Sequence, residues 1–255
     1  MRETGLDIKQ AALESVPTLI KYADLVPYWQ TAEVELTAAA AKFAPQDKMG
    51  DWCQLISCAP DAENRVLAAA LYRFNADSYT HILSHLESAS QSEREELAAL
   101  ALAKREKYDI PLRELEYAAY TFDLVLDQGA YFELKRHRMM TQTPQPLSTR
   151  LGYALPRQMV AAGLETPFRQ AMRAAQACYE EIAAFNPHAA SYVVPNAFNR
   201  RVLLGCNWRS LDHFTALRSA PNAHFALRRV AQRMAAEVRA ATPLLGSYLR
   251  PYPDE

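Results

Sequence analysis

Apolar residues recur along most of this chain at intervals of three and four, the spacing that gathers them on one face of a helix. Ala11–Tyr22 is a short, poorly patterned first segment, after which Val26-Pro27-Tyr28 interrupts the pattern. Glu33–Phe43 reads as a second helix, ended by Pro45. Asp61 can cap a third, in which Val66, Leu67, Ala70, Leu71 and Phe74 keep helical spacing. Gln91–Lys107 opens with Ser92 followed three residues later by Glu95, a capping-box pattern. Beyond Pro111 the period shifts: Leu115–Leu126 carries Tyr, Thr, Phe and Val in partial alternation, which suits a strand, and Val202–Cys206 is a second buried-strand candidate.

Between those strands, Gln128–Lys135 returns to helix, and Thr143, Pro144, Gln145 and Pro146 read as a loop. Thr166 and Pro167 form an N-cap and N1 pair opening a helix with Phe168, Ala171, Met172, Ala175, Cys178, Tyr179, Ile182 and Phe185 on one face. Helices follow over Ser210–Arg218 and Asn222–Leu245, the latter with a stripe of Leu227, Val230, Met234 and Val238 that fits a core or a subunit interface. No internal repeat is visible. With only seven glycines in 255 residues and abundant alanine, the chain is expected to be mainly helical, an α+β protein.

That length fits one large domain or a domain with an appended segment. A net charge of −1 gives no bulk electrostatic support to a nucleic-acid or membrane partner, so any anion site must be a local concentration of Arg. Small molecules and other subunits are the expected partners. There is no apolar run of membrane-spanning length, and Met1–Gln10 lacks the apolar centre of a signal peptide, so the cytoplasm is the expected compartment. Cys53, Cys58, Cys178 and Cys206 are scattered and read as reduced, mostly packed residues. His81 and His85 have i, i+4 spacing but no third ligand, and are read as a polar helix face, with no metal expected.

Two basic clusters stand out from this balance. Lys135, Arg136, His137 and Arg138 lie at a helix end, where the macrodipole alone stabilises cations and no ligand is required. Downstream, Asn207, Arg209, His213 and Arg218 lie in NWRSLDHFTALR, with Arg209, His213 and Leu217 on one helix face. Two Arg groups beside hydroxyl and amide residues suit a phosphate-bearing ligand, because guanidinium forks bond phosphate bidentately.

The segments TFDLVLDQGAYFELKRHRMM, LSTR and NWRSLDHFTALRSAPNAHFALRR resemble the flavin-dependent thymidylate synthases, whose RHR signature is followed by a Ser-x-Arg loop and an Asn-x-Arg-Ser-Leu helix. The resemblance runs from about Val66 to Leu245 and implies a mixed fold of helices and an antiparallel sheet, with ligands held between subunits of a homotetramer. It implies reductive methylation of dUMP to dTMP using methylenetetrahydrofolate, NADPH and FAD. Glu116, Arg136, His137, Arg138, Met139, Asn207, Arg209, His213 and Leu217 match cofactor-binding positions. Arg136, Ser148, Thr149, Arg150 and Arg218 match substrate-binding positions, and Arg218 matches the residue that polarises the uracil ring. Residues 61–250 would form the synthase-like domain. Residues 1–60 do not match the family's start, and are expected to be a helical extension, an interface segment, or a linker left from a longer two-copy chain.

The departures from the pattern are specific. The interval between RHR and Ser-x-Arg is two residues longer and carries Pro144 and Pro146. Glu133 replaces a glutamine, placing a carboxylate near an anionic nucleotide at a cost unless it turns away. Ser191 replaces a phosphate-binding Arg, a loss of roughly 1.5–3 kcal/mol. His213 replaces an amide, His224 a glutamine and Thr149 a glycine. Three readings stay open: a working synthase with a modified loop, a degenerate non-catalytic paralogue serving as subunit or regulatory partner, and a flavoprotein acting on another nucleotide or cofactor.

Overall fold

The computed structural model describes residues 2–43 and 50–253. Its contacts divide the chain into two units, residues 1–48 and residues 49–255. The first holds α1 (Arg2–Ser15), α2 (Pro17–Ile20) and α3 (Pro27–Ala40). Pro17 and Pro27 stand at N1, where the missing N–H costs no hydrogen bond, so each starts a helix. This corrects the expected Ala11–Tyr22 and Glu33–Phe43: Pro27, read as an interruption, opens a helix, as does Pro17 inside the expected first segment, while Pro45, expected to end the second helix, lies outside the described residues. No residue of α2 or α3 is buried.

The second unit runs β1 (Cys53–Cys58), α4 (Ala62–Tyr72), α5 (Tyr79–Ser88), α6 (Gln91–Leu102), a 3-10 turn (Arg113–Tyr117), β2 (Ala119–Asp127), α7 (Gln128–Leu134), β3 (Thr141–Pro144), α8 (Arg157–Ala161), α9 (Glu165–Phe185), α10 (Pro187–Ala190), β4 (Asn199–Asn207), α11 (Trp208–Arg218), α12 (Phe225–Ala241) and α13 (Pro243–Gly246). The four strands form one antiparallel sheet in the order β1-β2-β4-β3. The protein is thus mostly helical with a small antiparallel sheet. Alternation along β2 buries Tyr120, Phe122, Leu124 and Leu126, and along β4 Val202, Leu204 and Cys206. The α12 stripe of Leu227, Val230, Met234 and Val238 belongs to the same core. No helix among the described residues is long and apolar enough to cross a membrane.

Other boundaries moved for identifiable reasons. The first residues of the Leu115–Leu126 candidate form the 3-10 turn, and pairing of β2 with β4 begins at Ala119 opposite Asn207. The expected loop Thr143–Pro146 begins inside β3, because Pro144 occupies an edge strand, where a missing N–H is tolerated. β1, for which no strand was expected, pairs with β2. Helix α6 is capped by Ser90, which accepts from the Glu93 amide, two residues before the expected Ser92. Helix α9 starts at Glu165 without a side-chain cap, so Thr166 and Pro167 lie inside its first turn. Of its expected apolar face only Met172 is buried, and Phe185 is 91% exposed. Pro243 separates α12 from α13, where one helix to Leu245 was expected. Asp61 does occupy the N-cap of α4, but its carboxylate pairs with Arg65 rather than capping.

Candidate active site

Helix α11 carries most of the polar residues of interest, and buried contacts hold it in place. Asn207 caps it, Oδ1 accepting from the Ser210 amide at 2.8 Å. Asp212 accepts two bonds from Arg105, each 2.9 Å, with the side chains only 6% and 10% exposed. The Arg105 guanidinium also lies over the ring of Trp208, whose indole N–H donates to the Leu245 carbonyl. On this fixed helix Arg209 and Arg218 are pinned in the same manner. Arg209 donates from Nε to the Pro111 carbonyl at 3.1 Å and from Nη1 to Glu116 at 2.9 Å. Arg218 donates from Nε to Nε2 of His137 at 2.9 Å and from Nη1 to Glu133 at 2.8 Å. Each guanidinium therefore has one carboxylate and one neutral acceptor, an arrangement that fixes its plane.

The turn after α7 supplies the other half. Asp127 caps α7 through the Ala130 amide, and Gln142 donates from Nε2 to the carbonyls of Leu134 and His137, which ties the RHR turn to β3. His137 packs edge-on against Phe214 with ring centroids 4.9 Å apart, and 5.9 Å from His213. Burial first, then the charge of Arg218, pushes the His137 imidazole down to about 4. It is therefore neutral at pH 7, with Nε2 free to accept from Arg218. Arg136, Arg138 and Met139 are exposed, Met139 at 84%. His213 and Leu217 are also exposed on α11.

The loop residues Ser148, Thr149 and Arg150 lie elsewhere. Gly152, at φ 66°, turns the chain there, its carbonyl accepting from the Asn199 amide, while the Asn199 side chain donates to the Leu151 carbonyl. This anchors the loop to the start of β4. The RHR turn leads into Thr141, which pairs with Gly205 near the end of β4. Gly205 lies six residues along β4 from Asn199, roughly 20 Å. The structure thus gathers Arg136, His137 and Arg218 around Glu133 at the C-terminal end of α11, with His213 beside His137, and Glu116 with Arg209 at its N-terminal end next to Asn207, while Ser148, Thr149 and Arg150 belong to the loop tied to the start of β4. Ser148 and Thr149 are buried and Arg150 is exposed. Ser191 donates to the His188 carbonyl of its own short helix.

Residues 54–244 match the family model described as thymidylate synthase complementing protein. The chain belongs to that family. A UPF0159 protein of Chlamydia muridarum is 36% identical over 98% of this chain and 49% of its own length. This chain therefore spans about half the length of such curated relatives. A flavin-dependent thymidylate synthase of Geobacter sulfurreducens is 29% identical over 51% of this chain and 61% of its own length. The crystal structure of the flavin-dependent thymidylate synthase ThyX of Helicobacter pylori, complexed with FAD and dUMP, superposes with a TM-score of 0.56 at 17% identity, covering 78% of this chain and 99% of that one. This last likeness shows a shared fold for a divergent member of the flavin-dependent thymidylate synthase family.

The sequence offered Glu116, His137 and Glu133 as residues of interest, but not their bonds to Arg209 and Arg218, and it offered nothing for Pro111, Arg105 or Asp212. Glu133 pairs with Arg218 and Arg136. Pro111 acts through its backbone carbonyl, which no side-chain pattern reveals. The Arg105–Asp212 pair spans 107 positions and has no local signal.

Proposed function

We propose that this chain binds FAD and dUMP and carries out reductive methylation of dUMP to dTMP. The methylene carbon of methylenetetrahydrofolate replaces the C5 hydrogen of the pyrimidine, NADPH supplies the hydride, and the C5 proton leaves to solvent. The observation that supports this reading best is the bond from Arg218 to His137, which joins the RHR turn to α11 across 81 positions inside the family match.

The residues present fit a flavin dinucleotide. Arg209 keeps Nη2 without a partner among the described residues, Arg136 and Arg138 offer exposed cations, and Met139 offers an exposed thioether for an aromatic ring. When bound, the flavin supplies the electron pair that reduces the transferred carbon. The protein's part is orientation and charge: His137 holds Arg218 from its neutral nitrogen, and Arg218 presents Nη2 to a pyrimidine carbonyl that gains negative charge. The nucleotide phosphate would take the Ser148 hydroxyl and Arg150. Because that loop is tied to the start of β4, while the RHR turn leads into Thr141 opposite Gly205, one subunit's loop would complete another's RHR site, in the homotetramer that the resemblance implies.

The purified protein should be yellow, and dUMP should shift its flavin absorbance. Arg150→Ala should remove the dUMP response while leaving flavin content unchanged; a full response in that variant excludes the loop. Arg209→Ala should give folded protein with flavin affinity reduced about tenfold to a hundredfold, as for loss of one charge-assisted bond. Unchanged flavin occupancy after dialysis would remove Arg209 from the cofactor site. A second reading, a non-catalytic paralogue that keeps the fold, has one observation in its favour: Glu133 already occupies Arg218. Release of tritium from C5-labelled dUMP separates the two, since only the first reading requires it.

A further inference from the structure

Glu133 ends up with both carboxylate oxygens engaged. Oε2 accepts from Nη1 of Arg218 at 2.8 Å, and Oε1 lies 3.3 Å from Nη2 of Arg136. The Arg218 side chain is 15% exposed and its Nε is taken by His137, so Nη2 is its one edge without a partner among the described residues. His137 is neutral, so it adds nothing to the local charge. Of the two cations it touches, Glu133 therefore cancels the charge of one from within the chain, as a carboxylate in contact with the very guanidinium that faces the ligand in the reading above.

We propose that Glu133 sets the charge selectivity at Arg218, admitting a neutral acceptor such as a pyrimidine ring carbonyl and turning away an anion. A carbonyl can accept from Nη2 with the Glu133 bond intact. A phosphate must either approach the Glu133 carboxylate or displace it from Arg218, and each route costs Coulomb energy in a half-buried site. The residue thereby orients a nucleotide with its base toward Arg218 and its phosphate toward the Ser148–Arg150 loop. This inference rests on the proposed function in taking the pyrimidine as the neutral ligand, but its charge test does not depend on flavin or on turnover.

Inorganic phosphate and deoxyuridine are titrated calorimetrically into the full chain, as wild type, Glu133→Gln, Glu133→Asp and the double variant Glu133→Gln/Arg218→Ala. Glu133→Gln should bind phosphate about tenfold or more tightly than wild type, and the gain should vanish in the double variant. Glu133→Asp, which keeps the charge, should bind phosphate like wild type. Deoxyuridine affinity should change less than about twofold across the Glu133 variants, since a neutral ligand meets no repulsion. If Glu133→Gln misfolds, Glu133→Ala serves as the neutral variant. Phosphate affinity equal in wild type and the neutral variant, or a gain that survives loss of Arg218, overturns the proposal. A flavin spectrum that ignores dUMP defeats the proposed function instead, and leaves the phosphate result to decide the role of Glu133.

Discussion

Asp212→Ala should destabilise the protein by about 3–5 kcal/mol, because it leaves the Arg105 guanidinium buried with no carboxylate partner. Arg105 would retain its bond to the Tyr248 carbonyl and its position over Trp208, neither of which neutralises its charge. For a domain of this size the loss corresponds to a fall in melting temperature on the order of 10 °C. Replacing both partners by apolar residues of similar shape, Arg105→Met with Asp212→Leu, should recover much of it, since the desolvation cost disappears with the charges. Thermal and urea unfolding of the single and double variants measure both effects. A single variant that melts with wild type would show that the pair adds nothing. Since α11 also carries Arg209 and Arg218, flavin retention should fall together with stability in Asp212→Ala and return in the double variant.

Arg218→Ala should lower dUMP-dependent C5 proton release by roughly a hundredfold to a thousandfold, the usual consequence of removing one preorganised donor from a developing oxyanion. The same substitution has a second signature inside the protein. Loss of the neighbouring positive charge should raise the His137 pKa from about 4, though not to its ordinary 6.5, because burial is the larger cause of the depression. The sign for stability follows. The unfolded chain takes up a proton on this histidine near pH 6.5, and the wild-type fold resists it until about 4, so acidification across that interval weakens the native state. In Arg218→Ala the interval narrows, and the contribution of His137 to acid sensitivity shrinks. Histidine NMR titration reads the pKa, and a His137 resonance that titrates identically in both proteins would show that the two side chains are not coupled in solution.

The helical character, the stripe on α12, the two long strands and the family motifs were legible in the residues because each is a local pattern: a period, a cap or a contiguous signature. The boundaries that moved did so where tertiary pairing overrides local preference. Pro144 fits a strand only because that strand is an edge, and the residues before Ala119 form a 3-10 turn where β4 gives way to α11 after Asn207. Likewise β1 is a strand because β2 lies beside it.

What the chain's own order of residues determined is which side chains are present to bind an anion or an aromatic cofactor, and on which helices and turns they stand. Only the tertiary structure decided that Glu133 and His137 close on Arg218, that Glu116 and Pro111 close on Arg209, and that Ser148, Thr149 and Arg150 belong to a loop tied to the start of β4. Charge pairing and strand register are long-range: they depend on where distant segments meet through packing of the core, and no local spacing encodes that meeting.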